Sequence, residues 1–320
     1  MKQAASIEKG FTAVETTTKK RWRPMTRFER REAFFGYLFI APVVLGFIIF
    51  EVGPILASLV LSFTDYDILS KNIDWVGLAN FARMFKEDLF YKSFNNTIYY
   101  CVIYIPLSLG LSLFLAVLAN RVRRASTFYR TAIYIPTIIP SVGAAVAWVV
   151  ILSPQFGLLN GALKWFGIKG PGWFLNPDWA KPAIILMSMW VLGGIFVIFL
   201  AGLQGIPNEY YEAASIDGAN SWTSFWKITL PLMTPTILFN LVMDSIWAFQ
   251  VFQESFVTTG GGPLRSTYFL SLYIYDQAFT YRRMGYASAI SWVMFIVIMI
   301  FTVIILRSSR RWTFYGGGEQ

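Results

Sequence analysis

Long apolar runs, separated by short polar, basic or Gly/Pro-rich segments, organise this chain. A helix needs about 20 mainly apolar residues to cross the hydrocarbon core of a bilayer. Six stretches meet that length. They run from about Phe35 to Ser62 (interrupted only by Glu51), Thr97 to Ala119, Thr131 to Leu152, Ala183 to Leu203, Pro235 to Val257 (carrying Asp244 and Glu254), and Ala287 to Leu306. The pattern predicts an all-α polytopic membrane protein with six transmembrane helices. Pro42, Pro54, Pro106, Pro136 and Pro140 fall inside the runs, where kinks are tolerated if neighbouring groups re-satisfy the backbone. Between the runs, Asn80 to Phe94 sets Phe81, Met84, Phe85 and Leu89 at helical spacing among charges, which predicts a short helix lying on the membrane surface. Ser153 to Pro182, rich in Gly, Pro and Trp, reads as a structured loop, and Gly260-Gly261-Gly262-Pro263 as a flexible turn. Gly316 to Gly318 is the one low-complexity tract, and no repeat is evident.

Composition supports a membrane solvent. The chain is 56% hydrophobic and 14% charged, with a mean hydropathy of +0.52; ordinary globular domains carry about a quarter charged residues. Its single cysteine, Cys101, lies in an apolar run, so no disulfide framework is available. Histidine is absent, which argues against histidine acid–base chemistry and histidine-ligated metals. The net charge of +9 invites a nucleic-acid reading, but the basic residues flank the apolar runs, so they read as a topology signal. With the N-terminus inside, 17 Lys and Arg face the cytoplasm and 10 the exterior. Both termini are therefore expected in the cytoplasm. The first 30 residues contain no signal-peptide core. Arg30-Arg31 before Phe34-Phe35 resembles a twin-arginine signal, but the apolar run that follows is too long, so a retained first helix is expected. The expected organisation is a basic tail over 1–33, a permease domain over 34–306 and a C-terminal tail over 307–320.

A polar segment breaks this pattern before the fifth run. It reads EAASIDGANSWTSFWKITLP from Glu212 to Pro231. Glu209 to Ile216 can form two helical turns, Gly218 can take a positive φ and end them, and Ser221 is the expected N-cap of a second short helix through Lys227. Ala213 and Ala214 permit close approach. Trp222, Phe225, Trp226 and Ile228 supply an apolar face.

The spacing E-A-A, Gly218, Ile228-x-Leu230-Pro231 resembles the EAA loop of permease subunits in binding-protein-dependent ABC importers. WVGLANF (Trp75 to Phe81), TTGGGPLRST (Thr258 to Thr267) and the first apolar run resemble the carbohydrate-uptake branch of that family, as its first permease. This likeness covers most of the chain beyond residue 34. It implies a type I ABC importer permease fold without the two extra N-terminal spans and large periplasmic domain of the maltose-importing member. In that family the loop, here 204–232, docks on the ATPase. Glu212, Ala213, Ala214, Gly218, Ile228, Leu230 and Pro231 are then the coupling residues. The implied partners are a second permease, two ATP-binding cassette subunits and an extracytoplasmic sugar-binding protein, in a prokaryotic inner membrane. The chain has no Gly-Lys pair and hence no Walker A cradle, so no cofactor is expected on it. ATP and Mg belong to the partner.

Asn240, Asp244, Trp247, Val251 and Glu254 follow spacings of 4, 3, 4 and 3 and share roughly 80° of helix arc. Gln250 extends that arc. Ionisable groups inside a span favour a bundle interior or a cavity, and a few polar groups among aromatics suit a sugar. In the maltose-importing member the substrate-contacting positions lie on this span. A gap-free reading back from the GGP turn puts Asp244, Trp247, Ala248 and Val251 there. The alternative for Asp244 and Glu254 is a structural interhelical pair. Glu51 reads as an interface or gating residue, and Trp148, Trp190 and Trp292 as packing or interface anchors. Two other classes compete: a secondary transporter with Asp244 or Glu254 as its proton site, and an intramembrane enzyme, for which no catalytic or metal-binding cluster is evident. The resemblance favours an oligosaccharide, with monosaccharides, polyols and glycerol-3-phosphate within its wider range.

Overall fold

The computed structural model describes residues 26–69, 73–122 and 126–314. Most of the basic N-terminal tail, Lys71, Arg123, Arg124 and the Gly316–Gly318 tract lie outside the described residues. Within them the backbone is helical apart from turns and two isolated β-bridges, Thr64 with Trp75 and Asp67 with Arg283. The chain divides into two compact units after Leu56.

The first unit begins with α1 (Arg27–Phe47). Thr26 caps it with its hydroxyl on the Glu29 N–H, while the Glu29 carboxylate accepts from the Thr26 N–H at 2.7 Å. This capping box starts the helix at Arg27, inside the segment expected as tail. Pro54 has no N–H to give to the preceding turn, and the backbone widens into a π-turn over Ile48–Val52 ahead of α2 (Gly53–Leu61).

In the second unit the expected surface helix over Asn80 to Phe94 is two elements, α3 (Ala79–Met84) and the first turns of α4 (Asp88–Arg121). Glu87 separates them. Its backbone is extended, and its carboxylate receives the Arg83 guanidinium at 2.8 Å and the Tyr273 hydroxyl. Burial works against the Glu87 charge, but the hydrogen bonds from Tyr273 and Arg83 outweigh it and hold the carboxyl below the ordinary glutamate range.

Two of the expected spans are broken rather than continuous. α5 (Ser126–Tyr134) and α6 (Ser141–Ile151) are bent by 99°, through a 3₁₀ turn over Ile135–Ile138. Pro136 and Pro140 each lack an N–H for a continuous ladder, and Pro140 stands at the N-cap of α6. After α7 (Leu158–Trp165), inside the expected structured loop, α8 (Pro177–Ser188) and α9 (Gly193–Gln204) are bent by 48°. Gly193 lets the two breaks meet: a Cβ there would fall 2.3 Å from the Thr137 hydroxyl and 2.9 Å from the Tyr134 Cα.

The polar loop holds α10 (Asn208–Ile216), α11 (Ser221–Ser224) and α12 (Leu230–Leu232). The fifth span is α13 (Thr234–Phe249) followed, after a break at Gln250–Phe252, by α14 (Gln253–Thr258). The last elements are α15 (Leu270–Tyr275), its π-turn Asp276–Thr280, and α16 (Met284–Ser309). Among the described residues four helices are long and apolar enough to cross a membrane, or up to six if each bent pair is one span.

α4 is the central helix, packed on α9, α13 and α15. Ser108, Ser112 and Ala116 repeat every fourth residue on its fully buried side. Small side chains let helices approach closely where lipid gives little apolar driving force. Phe196, Phe199, Leu203 and Met233 pack on Ala116 and Ala119 toward one end of α4. Tyr100, Ile105, Phe249, Phe269 and Tyr273 pack toward the other. At the first end the Phe314 N–H donates to the Thr234 hydroxyl at 2.8 Å, so the last described residue lies beside the start of α13. At the other, Asn96 donates to the carbonyls of Arg265 and Tyr268, and Lys92 to that of Leu264. The Gly260–Gly262 turn is pinned rather than flexible. Thr259 and Thr267 share a 2.7 Å hydrogen bond, and at Gly261 (φ +88°) a Cβ would sit 2.4 Å from the Tyr268 ring.

Gly285 gives a direct test of this packing. Its N–H donates to the Tyr66 carbonyl at 3.0 Å, and a Cβ would lie 2.1 Å from the Thr64 carbonyl oxygen. Gly285→Ala should cost about 1–3 kcal/mol through overpacking, read as a lower melting temperature in detergent. Gly143→Ala, where a Cβ meets nothing within 4 Å, should leave it unchanged.

Candidate functional site

Two features stand out, and one helix joins them. The first is the loop before α13. α10 ends in a Schellman arrangement, with the Gly218 N–H on the Ser215 carbonyl at 3.1 Å and the Ala219 N–H on the Ala214 carbonyl at 2.9 Å. Gly218 has φ +76°, as its place in the sequence predicts. The N-cap of α11 is Asn220, not the expected Ser221. The Asn220 side-chain oxygen accepts from the Thr223 N–H at 2.8 Å. Both residue types cap well, and only the backbone decides which is used. Pro231 has no N–H for the turn before it, so the helix expected to reach Lys227 passes into a π-turn over Phe225–Thr229 and then α12. Ile228, Leu230 and Pro231 lie in this connection, half-buried. Tyr211 and Thr229 join the two arms through a 3.0 Å hydrogen bond.

Glu212, Ala213 and Ile216 are exposed on α10, and Ala214 is half-covered. Trp222 and Trp226 stand edge to face at 5.7 Å and both reach solvent. Among the described residues Glu209, Glu212 and Asp217 have no Lys or Arg within ion-pair distance. The outer surface of the loop is thus acidic and apolar. Below it lies a polar cavity of 520 Å³ whose lining includes Asn120, Arg121, Asn208, Tyr211 and Ser224.

The second feature is a cavity of 610 Å³ in the body of the helices. Three helix breaks converge on it: Thr137 to Ser141 between α5 and α6, Ser188 to Val191 at the end of α8, and Gln250 to Phe252 between α13 and α14. Interrupted helices expose backbone and side-chain polar groups at membrane depth, which is tolerated where they line a cavity. Tyr100 and Tyr104 of α4 form one wall, stacked at 5.0 Å with 11° between their planes. The Tyr100 hydroxyl donates to Ser188 at 2.9 Å. Ser141 donates to the Gln253 side chain, and the Thr137 hydroxyl is buried without a partner among the described residues. Trp247, 69% exposed overall, lines this space with Gln250 and Glu254. The cavity therefore offers aromatic faces, two amides, hydroxyls and one carboxylate, a combination suited to a polyhydroxylated ligand.

Of the candidate residues on the fifth span, Trp247, Ala248, Gln250, Val251 and Glu254 line this cavity. Asn240 and Asp244 do not. Both are almost fully buried, and Asp244 accepts a hydrogen bond from Ser108 at the packed face of α4. The Asn240 amide nitrogen has no partner among the described residues. One face of a continuous helix would hold all of them; the break after Phe249 ends that face and turns Phe252 and Gln253 inward as well. Tyr100, Tyr104, Ser141, Ser188 and Gln253 carry no such spacing signal, because they reach the site from other helices or past a break.

The model of the binding-protein-dependent transport system inner membrane component matches residues 108–313. The chain is 43% identical to the probable ABC transporter permease protein YesP of Bacillus subtilis (strain 168), over 92% of this chain and 96% of that one. It is 34% identical to the lactose transport system permease protein LacF of Rhizobium radiobacter, over 86% and 94%. Its fold matches a permease chain in the crystal structure of a bacterial alginate ABC transporter in complex with alginate pentasaccharide-bound periplasmic protein. The TM-score is 0.79 and the identity 25%, covering 88% of this chain and 96% of that one. The chain belongs to the binding-protein-dependent transport system inner membrane components, as a sugar ABC importer permease.

Proposed function

We propose that this chain is one of two permease subunits that carry a sugar, an oligosaccharide by preference, across a prokaryotic plasma membrane on ATP hydrolysis by a separate ATPase pair. It crosses the membrane six times, counting each bent pair as one span, with both termini and the 204–232 loop in the cytoplasm. An extracytoplasmic binding protein delivers the sugar to the outer loops. The carrying observation is connectivity: the exposed loop passes through Pro231 directly into α13, and α13 ends at the cavity. Closure of the ATPases would move Glu212 to Lys227 as a rigid unit, and α13 would transmit that motion to Trp247 and Gln250. The acidic surface of α10 suits a cationic dock on the ATPase, which would also hold the ATP and Mg. The lactose and alginate named for two similar proteins support a sugar. The half-buried Glu254 carboxylate lining the cavity disfavours an anionic one, unless the second permease supplies cations.

The test is uptake into proteoliposomes holding this chain with its co-encoded permease, ATPase and binding protein. We expect accumulation that needs ATP and loaded binding protein and is indifferent to a protonophore. Uptake by the chain alone that collapses with the proton gradient would replace this reading with a secondary transporter.

A further inference from the structure

We propose that the groove between α4 and α11 seats one anionic phospholipid, with an acyl chain along α4 and its phosphate at Arg121. The groove has a volume of 440 Å³. Gly110, Leu113, Phe114, Val117 and Leu118 form its floor, at spacings of 3, 1, 3 and 1, on a stripe separate from the buried Ser108–Ser112–Ala116 side. Gly110 leaves the far end open, since a Cβ there would meet nothing within 4 Å. Trp222 and Phe225 of the loop form the near wall.

Length, polarity and charge together select the occupant. From Gly110 to Arg121 the helix rises about 16 Å, close to the roughly 15 Å depth of one leaflet's hydrocarbon. At Arg121 the apolar groove meets the polar cavity under the loop. The two share Val117, Arg121, Ser221 and Phe225. An apolar channel that opens into a polar chamber at the exposed Arg121 matches an amphiphile with an anionic head. Arg121 has no carboxylate within 4.0 Å among the described residues. Trp222, exposed at the wall of the groove, is of the residue type that anchors at membrane interfaces. The lipid would wedge the loop against α4, whatever the importer carries.

Native mass spectrometry of the full chain released from nanodiscs of equal phosphatidylglycerol and phosphatidylcholine tests this. Wild type should retain a single phosphatidylglycerol in preference to phosphatidylcholine. Arg121→Gln, a change at an exposed helix end, should lower that retention about fivefold and erase the preference, and Arg121→Lys should keep it. Gly110→Phe, which fills the groove, should lower retention of both lipids; a melting curve for each variant verifies that it is folded. Equal retention in wild type and Arg121→Gln, no preference for the anionic lipid, or displacement of the adduct by inorganic phosphate would overturn the proposal. So would crosslinking of Phe114→Cys to a protein chain in the assembled importer.

Discussion

Gly218→Pro should abolish sugar uptake while the ATPase subunits continue to hydrolyse ATP. Proline fixes φ near −65°, and position 218 sits at φ +76° with its N–H bonded to Ser215. The substitution removes that bond and forbids the turn, a penalty of about 3 kcal/mol or more. All of it falls on an exposed loop, so the packed helices keep their partners. What is lost is the fixed angle between α10 and α11, and with it the rigid link from ATPase to α13. Gly218→Ala isolates the conformational part. A Cβ there meets nothing within 4 Å, so only the left-handed backbone is penalised, by about 1–2 kcal/mol, and uptake should fall severalfold at most. Glu212→Lys approaches the same link from its surface, by inverting the charge offered to the partner. Uptake and phosphate release measured in the same proteoliposomes separate coupling from folding. Wild-type uptake in both Gly218→Pro and Glu212→Lys, with the ATPase still assembled, would remove this loop from the coupling path.

Trp247→Ala should reduce uptake by about tenfold to a hundredfold with little change in stability. The indole lines the cavity and is 69% exposed, so truncation leaves no filled core position empty and avoids the 3–5 kcal/mol cost of deleting a buried aromatic. The apolar face of a sugar ring resting on it would contribute about 1.4–2.8 kcal/mol, since each 1.4 kcal/mol is tenfold. Initial rates against concentration of loaded binding protein, with thermal melting as the control, measure the two effects separately. Asp244→Asn should behave in the opposite way. That carboxylate faces Ser108 within the α4–α13 contact, so its loss should lower the melting temperature more than it alters substrate ranking. Strong loss of uptake in Asp244→Asn at unchanged stability, with Trp247→Ala transporting normally, would move the substrate path off this cavity.

The apolar runs marked the helices that are long and apolar enough to cross a membrane, because a lipid-exposed helix must be apolar along its whole length and that demand is written locally. The positive φ of Gly218 and the helix before it were equally legible. Only glycine takes that conformation freely, and residues 208–216 carry no breaker. Charge counts argued for a side of the membrane, and motif spacing led to the family. The sequence could not say whether Pro136 and Pro140 bend a helix or break it by 99°, since that depends on what receives the freed backbone groups. Nor could it divide the polar face of the fifth span. Asp244 and Trp247 lie 3 positions apart on one helix, yet α4 packs against the first and leaves the second open to the cavity. Tertiary packing made that division. Three interrupted helices meet at one place and bring Tyr100, Tyr104, Ser188 and Gln253 together there. Local hydropathy determined which segments are apolar enough to cross a membrane; the breaks, and the neighbours that accommodate them, decided where the helices leave a cavity.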